Sequence, residues 1–183
     1  MRTSNVLVSV GLLSLTVVAL FPSQSLAQQG LRQPDPSPAA SITQAVGLTD
    51  IKVSYHRPAV SGRKIWGELV PYNEVWRAGA NENTTVTFSS PVKIGGKVLP
   101  AGSYGLHMIP TPKSWTVIFS RMNVAWGSYG YDQKEDALRA QVTPQPAESN
   151  EERLAFSFDN PTENGVTLTL RWERLKVPVP IEV

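Results

Sequence analysis

The amino-acid sequence predicts an all-β domain, folded as a sandwich of two antiparallel sheets. From residue 41 onward, apolar and polar residues alternate with a period of two, so each strand buries one face and exposes the other. Turn residues separate roughly nine such runs, which indicates a jelly-roll or immunoglobulin-like sandwich or a flattened barrel. Because the chain contains no cysteine, the apolar core alone must hold this domain together.

The alternation is clearest in five segments. They are 51–55, 86–88, 154–158, 166–172 and 175–181. Pro178 and Pro180 fall on the polar phase of the last segment, and proline cannot donate to a sheet ladder. The final strand is therefore predicted to lie at a sheet edge.

Turn chemistry supports the same fold. Gly95-Gly96 stands between two short apolar runs and predicts a two-residue hairpin, because both positions can adopt positive φ. The segments 111–114 and 160–165 are rich in turn residues and are expected to join further pairs of strands.

Two stretches break the alternation, at 57–83 and 123–136. Irregular segments of this length in a compact domain are usually either functional or disordered. Their aromatic content argues against disorder. Both are therefore predicted to be long ordered loops that carry the functional residues.

The N-terminal residues have the three parts of a secretory signal peptide. Arg2 precedes an apolar run from 6 to 20, and the small residues at 25 and 27 fit a cleavage site. We expect a signal peptide over 1–27, a proline-rich tether over 28–40 and a single β-sandwich domain over 41–183. The mature protein is expected in the periplasm or outside the cell, with no membrane span after cleavage.

Composition argues against several classes of function. The formal net charge is +2, and acidic and basic residues are interleaved, so a nucleic-acid partner is not expected. The absence of cysteine removes thiolate catalysis and iron–sulfur clusters. With only two histidines and no HExxH spacing, the chain is predicted to hold no metal and no cofactor. No oligomeric state is predicted.

The first candidate binding segment lies within 57–83. Arg77 can hold a carboxylate or phosphate through two hydrogen bonds, beside Asn81 and Glu82. Gly79 is expected to let the backbone turn sharply and present amides to an anion. Arg63 adds charge and Trp66 an apolar face. In the alternative interpretation, Trp66 and Trp76 cap the core and Arg77 pairs with Glu74, Glu82 or Asp136.

The second candidate lies within 123–136. Trp126, Tyr129 and Tyr131 could form an aromatic platform for a sugar face or a cation. Alternatively, the loop folds over one end of the sandwich and its aromatic residues only anchor it. His56 is predicted to be exposed, and His107 to be a hydrogen-bonded structural histidine.

The sequence resembles domain-of-unknown-function family 2911. The resemblance is carried by two groups of motifs. They are Tyr55…Arg57-Pro58, Gly62-Arg63-Lys64-Ile65-Trp66-Gly67, Val70-Pro71-Tyr72 and Val75 to Asn81, and then Gly96-Lys97, Pro100 to Leu106, Trp115 and Trp126-Gly127…Tyr129…Tyr131. It extends over about residues 40–183. It implies an exported bacterial β-domain and does not imply an activity, a substrate or catalytic residues.

Three functions remain open from the sequence. The first is a non-catalytic binding domain for a small anionic or sugar-like ligand or an envelope protein, through Arg63, Trp66, Arg77, Asn81, Glu82, Trp126, Tyr129 and Tyr131. The second is a structural accessory of an envelope assembly. The third is a hydrolase of envelope polysaccharide or a phosphate ester, with Glu82 or Asp136 as base and Arg77 as clamp.

Overall fold

The computed structural model describes residues 33–183, which form ten β-strands and one short 3-10 helix, Gln133–Glu135. The strands are β1 Ala39–Val46, β2 Thr49–His56, β3 Thr85–Phe88, β4 Val92–Ile94, β5 Lys97–Leu99, β6 Gly102–Ile109, β7 Trp115–Ser120, β8 Asp136–Val142, β9 Gln145–Asp159 and β10 Gly165–Glu182. Two hairpin turns, at Gly95-Gly96 and at 160–164, lie where the sequence predicted them.

The strands form two antiparallel sheets. One has six strands in the order β1-β2-β3-β6-β7-β8, and the other has four in the order β5-β4-β10-β9. The predicted two-sheet sandwich is confirmed. The sequence did not single out β1, because its half-buried positions hold small or polar side chains such as Ala40 and Gln44 next to Ile42.

A β-bulge joins two predicted strands into one. The segments 166–172 and 175–181 are both parts of β10, and their apolar residues fall on opposite parities. Between them Glu173 has a φ of 56°, and the pairing with β9 shifts register on either side of it. The left-handed residue at 173 moves the alternation of β10 by one position, so the apolar side chains on both sides of it face the core, while the register shifts place the additional residues on β9.

The prediction that the last strand is an edge strand is wrong, because β10 lies between β4 and β9. The prolines are nevertheless accommodated. The ladder with β9 ends at Lys176, before Pro178 and Pro180, so their missing N–H donors leave that ladder complete. The neighbouring positions Val177 and Val179 are buried, as the alternation predicted.

Four tryptophans bring the first irregular segment into the core between the sheets. Trp115 comes from β7 of the six-stranded sheet and Trp172 from β10 of the other, and both are buried. Trp66 and Trp76 come from the segment 57–83 and pack against both, with ring centroids 4.9–6.4 Å apart. This part of the alternative interpretation, in which the two tryptophans cap the core, is confirmed.

The domain begins slightly earlier than predicted. β1 opens at Ala39, and residues just before it are hydrogen-bonded to the domain: Arg57 N–H donates to Pro38 O at 3.0 Å and Arg153 Nη1 to Pro36 O at 3.0 Å. The predicted signal peptide and the first part of the predicted tether lie outside the described residues. Within 33–183, no helix has the length and apolar character that crossing a membrane requires.

Candidate functional site

The two irregular segments meet in the structure. The first is fixed to β6 by a pair of backbone hydrogen bonds between Trp76 and Met108, both 2.8 Å. At the end of this segment, Asn83 N–H donates to the carbonyl oxygen of Ala125 at 3.1 Å. The residues singled out in the two segments therefore lie on neighbouring stretches of backbone.

The backbone around Gly79 is unusual for a reason that the sequence did not give. The positive φ angles belong to Ala78, at 50°, and Asn81, at 55°. Gly79 is needed for close approach instead. A Cβ on it would lie 2.8 Å from Thr84 Oγ1 and 3.2 Å from the carbonyl oxygen of His56. Residues other than glycine are strained in the left-handed conformation, and such strain is common at functional sites.

Arg77 lies where the two segments face each other. A Cβ on Gly127 would be 3.3 Å from Arg77 Cδ and 3.5 Å from Nη1, so the Arg77 side chain runs along the backbone of Gly127. Gly127 itself has a φ of 67° and is buried. Glycine is favoured at this position because φ is positive and because a Cβ atom would crowd the Arg77 side chain. The backbone of Gly127 therefore helps to position the guanidinium group.

The charge of Arg77 has no protein partner among residues 33–183. It forms no ion pair and no hydrogen bond there, and its Nε atom is buried without an acceptor. Burial lowers the pKa of the guanidinium group. The expectation that Arg77 pairs with an acid is wrong: Glu82 lies 3.4 Å from His56, and Asp136 is paired with Arg139 at 2.5 Å.

Arg77 lines two clefts. The first, named here the arginine cleft, has a volume of about 300 Å³. It is lined by Ser37, Pro58, Arg63, Leu69, Val70, Trp76, Arg77, Gly79, Ala80, Asn81 and Trp172. No acidic residue of the described chain is among them. Arg63 is exposed there and donates only to backbone carbonyl groups, those of Val60 and Ala59.

The second, named here the tyrosine cleft, has a volume of about 350 Å³. It is lined by Leu69, Pro71, Glu74, Val75, Trp76, Arg77, Ser128 and Tyr129. Tyr129 is 90% exposed. Leu69, Trp76 and Arg77 line both clefts, so these three side chains form the wall between them.

The arginine cleft is rich in donors without acceptors. The hydrogen bonds of the described residues include none donated by the backbone amides 77–82. Gly79 can contribute only backbone atoms to the lining, and the indole Nε1 of Trp172 is buried without a partner. Asn81 Nδ2 donates to Asp35 at the rim, 3.0 Å away. Backbone amides without acceptors beside an arginine can bind an anion.

The three side chains of the predicted aromatic platform lie in three different places and do not form one surface. Trp126 is 63% exposed and lines a third hollow of about 420 Å³, together with Glu82. Tyr129 belongs to the tyrosine cleft. Tyr131 packs on His107, with centroids 5.3 Å apart, and its hydroxyl group donates to Asp136 at 2.7 Å. Of these three, Tyr131 is the one that anchors its loop.

The remaining predicted residues have packing or local roles. Trp66 is half-buried in the tryptophan cluster and lines neither cleft. His107 is buried, with Nδ1 3.0 Å from Ser128 Oγ, and burial lowers its pKa to about 4. The prediction of a hydrogen-bonded structural histidine is confirmed. His56 was predicted to be exposed but is half-buried. Within 33–183, no group of acidic and histidine side chains could hold a metal ion.

Sequence reasoning missed several residues of this region. Gly127 was assigned no role of its own, and its contact with Arg77 joins residues 50 positions apart. Leu69 was not singled out and Trp172 was assigned only to the alternating segment 166–172, and only the folded chain places them beside Arg77. No local pattern signals such contacts.

A family model described as a protein of unknown function, DUF2911, matches residues 37–181. The chain belongs to the DUF2911 family. The DUF2911 match covers β1 to β9, all of β10 except its last residue, and every residue that lines the two clefts. No curated protein and no solved structure matches the chain. The family description does not assign a role to any residue of either cleft.

Proposed function

We propose that this DUF2911 chain is a non-catalytic binding domain, exported from the cell, that holds a small anionic ligand on Arg77. The observation that carries the proposal is a half-buried guanidinium group without an acidic partner among the described residues. Removing a charge from water is unfavourable unless an opposite charge compensates it. In this domain the compensating charge would come from the ligand.

The arginine cleft offers the anion further contacts. Arg63 brings a second guanidinium group, and the lining residues Arg77 and 79–81 have backbone amides that donate no hydrogen bond among the described residues. Charge-assisted hydrogen bonds of this kind are about twice as strong as neutral ones. With a volume of about 300 Å³, the arginine cleft is at the small end of the ~300–1,000 Å³ range of ligand pockets. A carboxylate or phosphate group on a small molecule fits this combination.

The other functions have less support. A hydrolase using Glu82 or Asp136 lacks a poised base, because Glu82 lies outside both clefts and Asp136 is tied to Tyr131 and Arg139. A structural accessory of an envelope assembly is the second candidate. Its support is the exposure of Val124, at 92%, and of the nearby Trp126, because apolar surface of this kind can serve a protein contact.

Ligand-induced stabilisation tests the proposal. The mature protein would be melted with inorganic phosphate, glucuronate or neutral glucose, alongside Arg77→Gln and the control Arg174→Gln. Arg174 is exposed and lines neither cleft. An anion at 100 times its Kd should raise Tm by roughly 5–10 °C. We expect this shift in wild type and Arg174→Gln, and none in Arg77→Gln. Equal shifts in all three proteins would disprove a site at Arg77.

A further inference from the structure

We infer that the ligand is an acidic glycan that spans both clefts, with an acidic sugar in the arginine cleft and a neutral neighbouring sugar in the tyrosine cleft. This inference rests on the proposed anion site at Arg77 and extends it. It starts from the wall that the clefts share. Because Arg77, Trp76 and Leu69 line both, a molecule bound to Arg77 can extend to either side.

The two clefts differ in chemistry. The arginine cleft holds Arg63 and Arg77 and no acidic residue, so it favours the charged part of a ligand. The tyrosine cleft has no second cation and contains the carboxylate of Glu74, which disfavours a second anionic group. The part of the ligand that lies there should therefore be uncharged.

The lining of the tyrosine cleft suits a polyhydroxylated group. Glu74 and Ser128 provide oxygen atoms that can accept hydrogen bonds from hydroxyl groups. Tyr129 is 90% exposed and offers a rigid aromatic face, on which the C–H face of a sugar ring can pack. Each cleft, at about 300 and 350 Å³, is small, which favours one short unit on each side of Arg77.

The same groove is less suited to an acidic peptide. Extended peptides commonly bind by adding a strand to a free sheet edge, where main-chain hydrogen bonds hold them. Here the lining comes almost wholly from the two irregular segments, and the backbone of Trp76 is already paired with Met108. The lining therefore offers no free strand edge to which an extended peptide could add.

The experiment compares ligands of different length by isothermal titration calorimetry. The probes are glucuronate, a hyaluronan tetrasaccharide of alternating glucuronate and N-acetylglucosamine, a neutral chitin tetrasaccharide and an acidic tetrapeptide. We expect the hyaluronan tetrasaccharide to bind at least 10-fold more tightly than glucuronate, and the neutral tetrasaccharide to bind far more weakly than either. The acidic tetrapeptide should do no better than glucuronate.

Two variants assign the gain to the tyrosine cleft. Tyr129→Ala should weaken binding of the tetrasaccharide about 10-fold, to the level of glucuronate, and weaken glucuronate binding far less. Trp126→Ala is the matched control, because Trp126 is also an exposed aromatic side chain but lines the third hollow. It should leave both affinities unchanged. Arg77→Gln should weaken both ligands, and circular dichroism would verify that each variant is folded.

The possible results distinguish a failure of the glycan inference from a failure of the proposed anion site at Arg77. If glucuronate and the tetrasaccharide bind equally well, or Tyr129→Ala has no effect, the glycan inference is wrong and the anion site stands. Tighter binding of the tetrapeptide would overturn the glycan in favour of a peptide. If no anion binds in an Arg77-dependent way, the anion site itself is wrong and the glycan inference falls with it.

Discussion

The two irregular segments differ in which of their side chains are buried and which of their polar groups are paired. In 57–83 the two tryptophans, Trp66 and Trp76, are packed between the sheets, while the charge of Arg77 has no partner among the described residues. In 123–136 the hydroxyl group of Tyr131 is hydrogen-bonded, whereas the apolar side chains of Val124 and Trp126 face solvent.

This contrast distinguishes a candidate ligand-binding site in 57–83 from ordinary exposed apolar surface in 123–136. A charge that is half-buried and unpaired lowers stability, so its presence calls for a compensating ligand. Exposed apolar side chains cost little in a folded chain and are common on protein surfaces. The first segment therefore offers the more specific evidence for function, although the second carries more of the exposed aromatic side chains.

The largest expected difference between the segments is in the stability contribution of their tryptophans. Trp76→Ala should lower the free energy of unfolding by about 3–5 kcal/mol, because it empties a buried space within the tryptophan cluster. Trp126→Ala should change it by less than about 0.5 kcal/mol, because that ring is mostly exposed. Urea unfolding measures both. Similar losses would show that the two segments contribute alike to the core.

The sequence predicted the sandwich well because alternation is a local property. It predicted the site only in part for the same reason. Arg63, Arg77 and Asn81 line one cleft and Tyr129 lines the other, yet Trp126 and Tyr131, only a few residues from Tyr129, point to different surroundings. Which face of a loop a side chain occupies depends on long-range contacts, such as that between Arg77 and Gly127.

A second difference concerns pH, through the histidine beneath the loop 123–136. The folded pKa of His107 is about 4, below its ordinary value of 6.5, because burial disfavours the charged form. The unfolded chain therefore binds more protons between these values, and stability falls as pH falls from about 6.5 to 4, by up to about 3 kcal/mol. The charges facing the ring are Asp136 and, beyond Tyr131, Arg139.

The variant His107→Gln isolates this contribution. Its free energy of unfolding should change less between pH 7 and pH 4.5 than that of the wild-type protein, whereas all carboxylates contribute alike to both proteins. Chemical unfolding at the two pH values gives the difference. Parallel pH profiles would mean that His107 titrates normally in the folded state, and the loop would then not depend on a neutral imidazole.

A smaller effect is expected at the contact that joins the segments. Gly127→Ala places a methyl group 3.3 Å from Arg77 Cδ on a backbone with a φ of 67°, so it should cost about 1–2 kcal/mol and weaken anion binding by displacing the guanidinium group. Gly130→Ala is the matched control, because no atom lies closer than 3.9 Å to its Cβ position and its φ is not positive. Equal effects of the two substitutions on anion binding would argue against a positioning role for Gly127.

The smallest expected effect has the opposite sign and tests the contrast most directly. Arg77→Met keeps an unbranched apolar side chain along Gly127 but removes the unpaired charge, so without ligand it should raise the free energy of unfolding by about 0.5–1 kcal/mol. Arg174→Met, at an exposed position, should change it by less than about 0.5 kcal/mol. Urea unfolding in a buffer of low anion content measures both. A loss of stability in Arg77→Met would show that the guanidinium group already stabilises the free protein, and the argument that it awaits a ligand would fail.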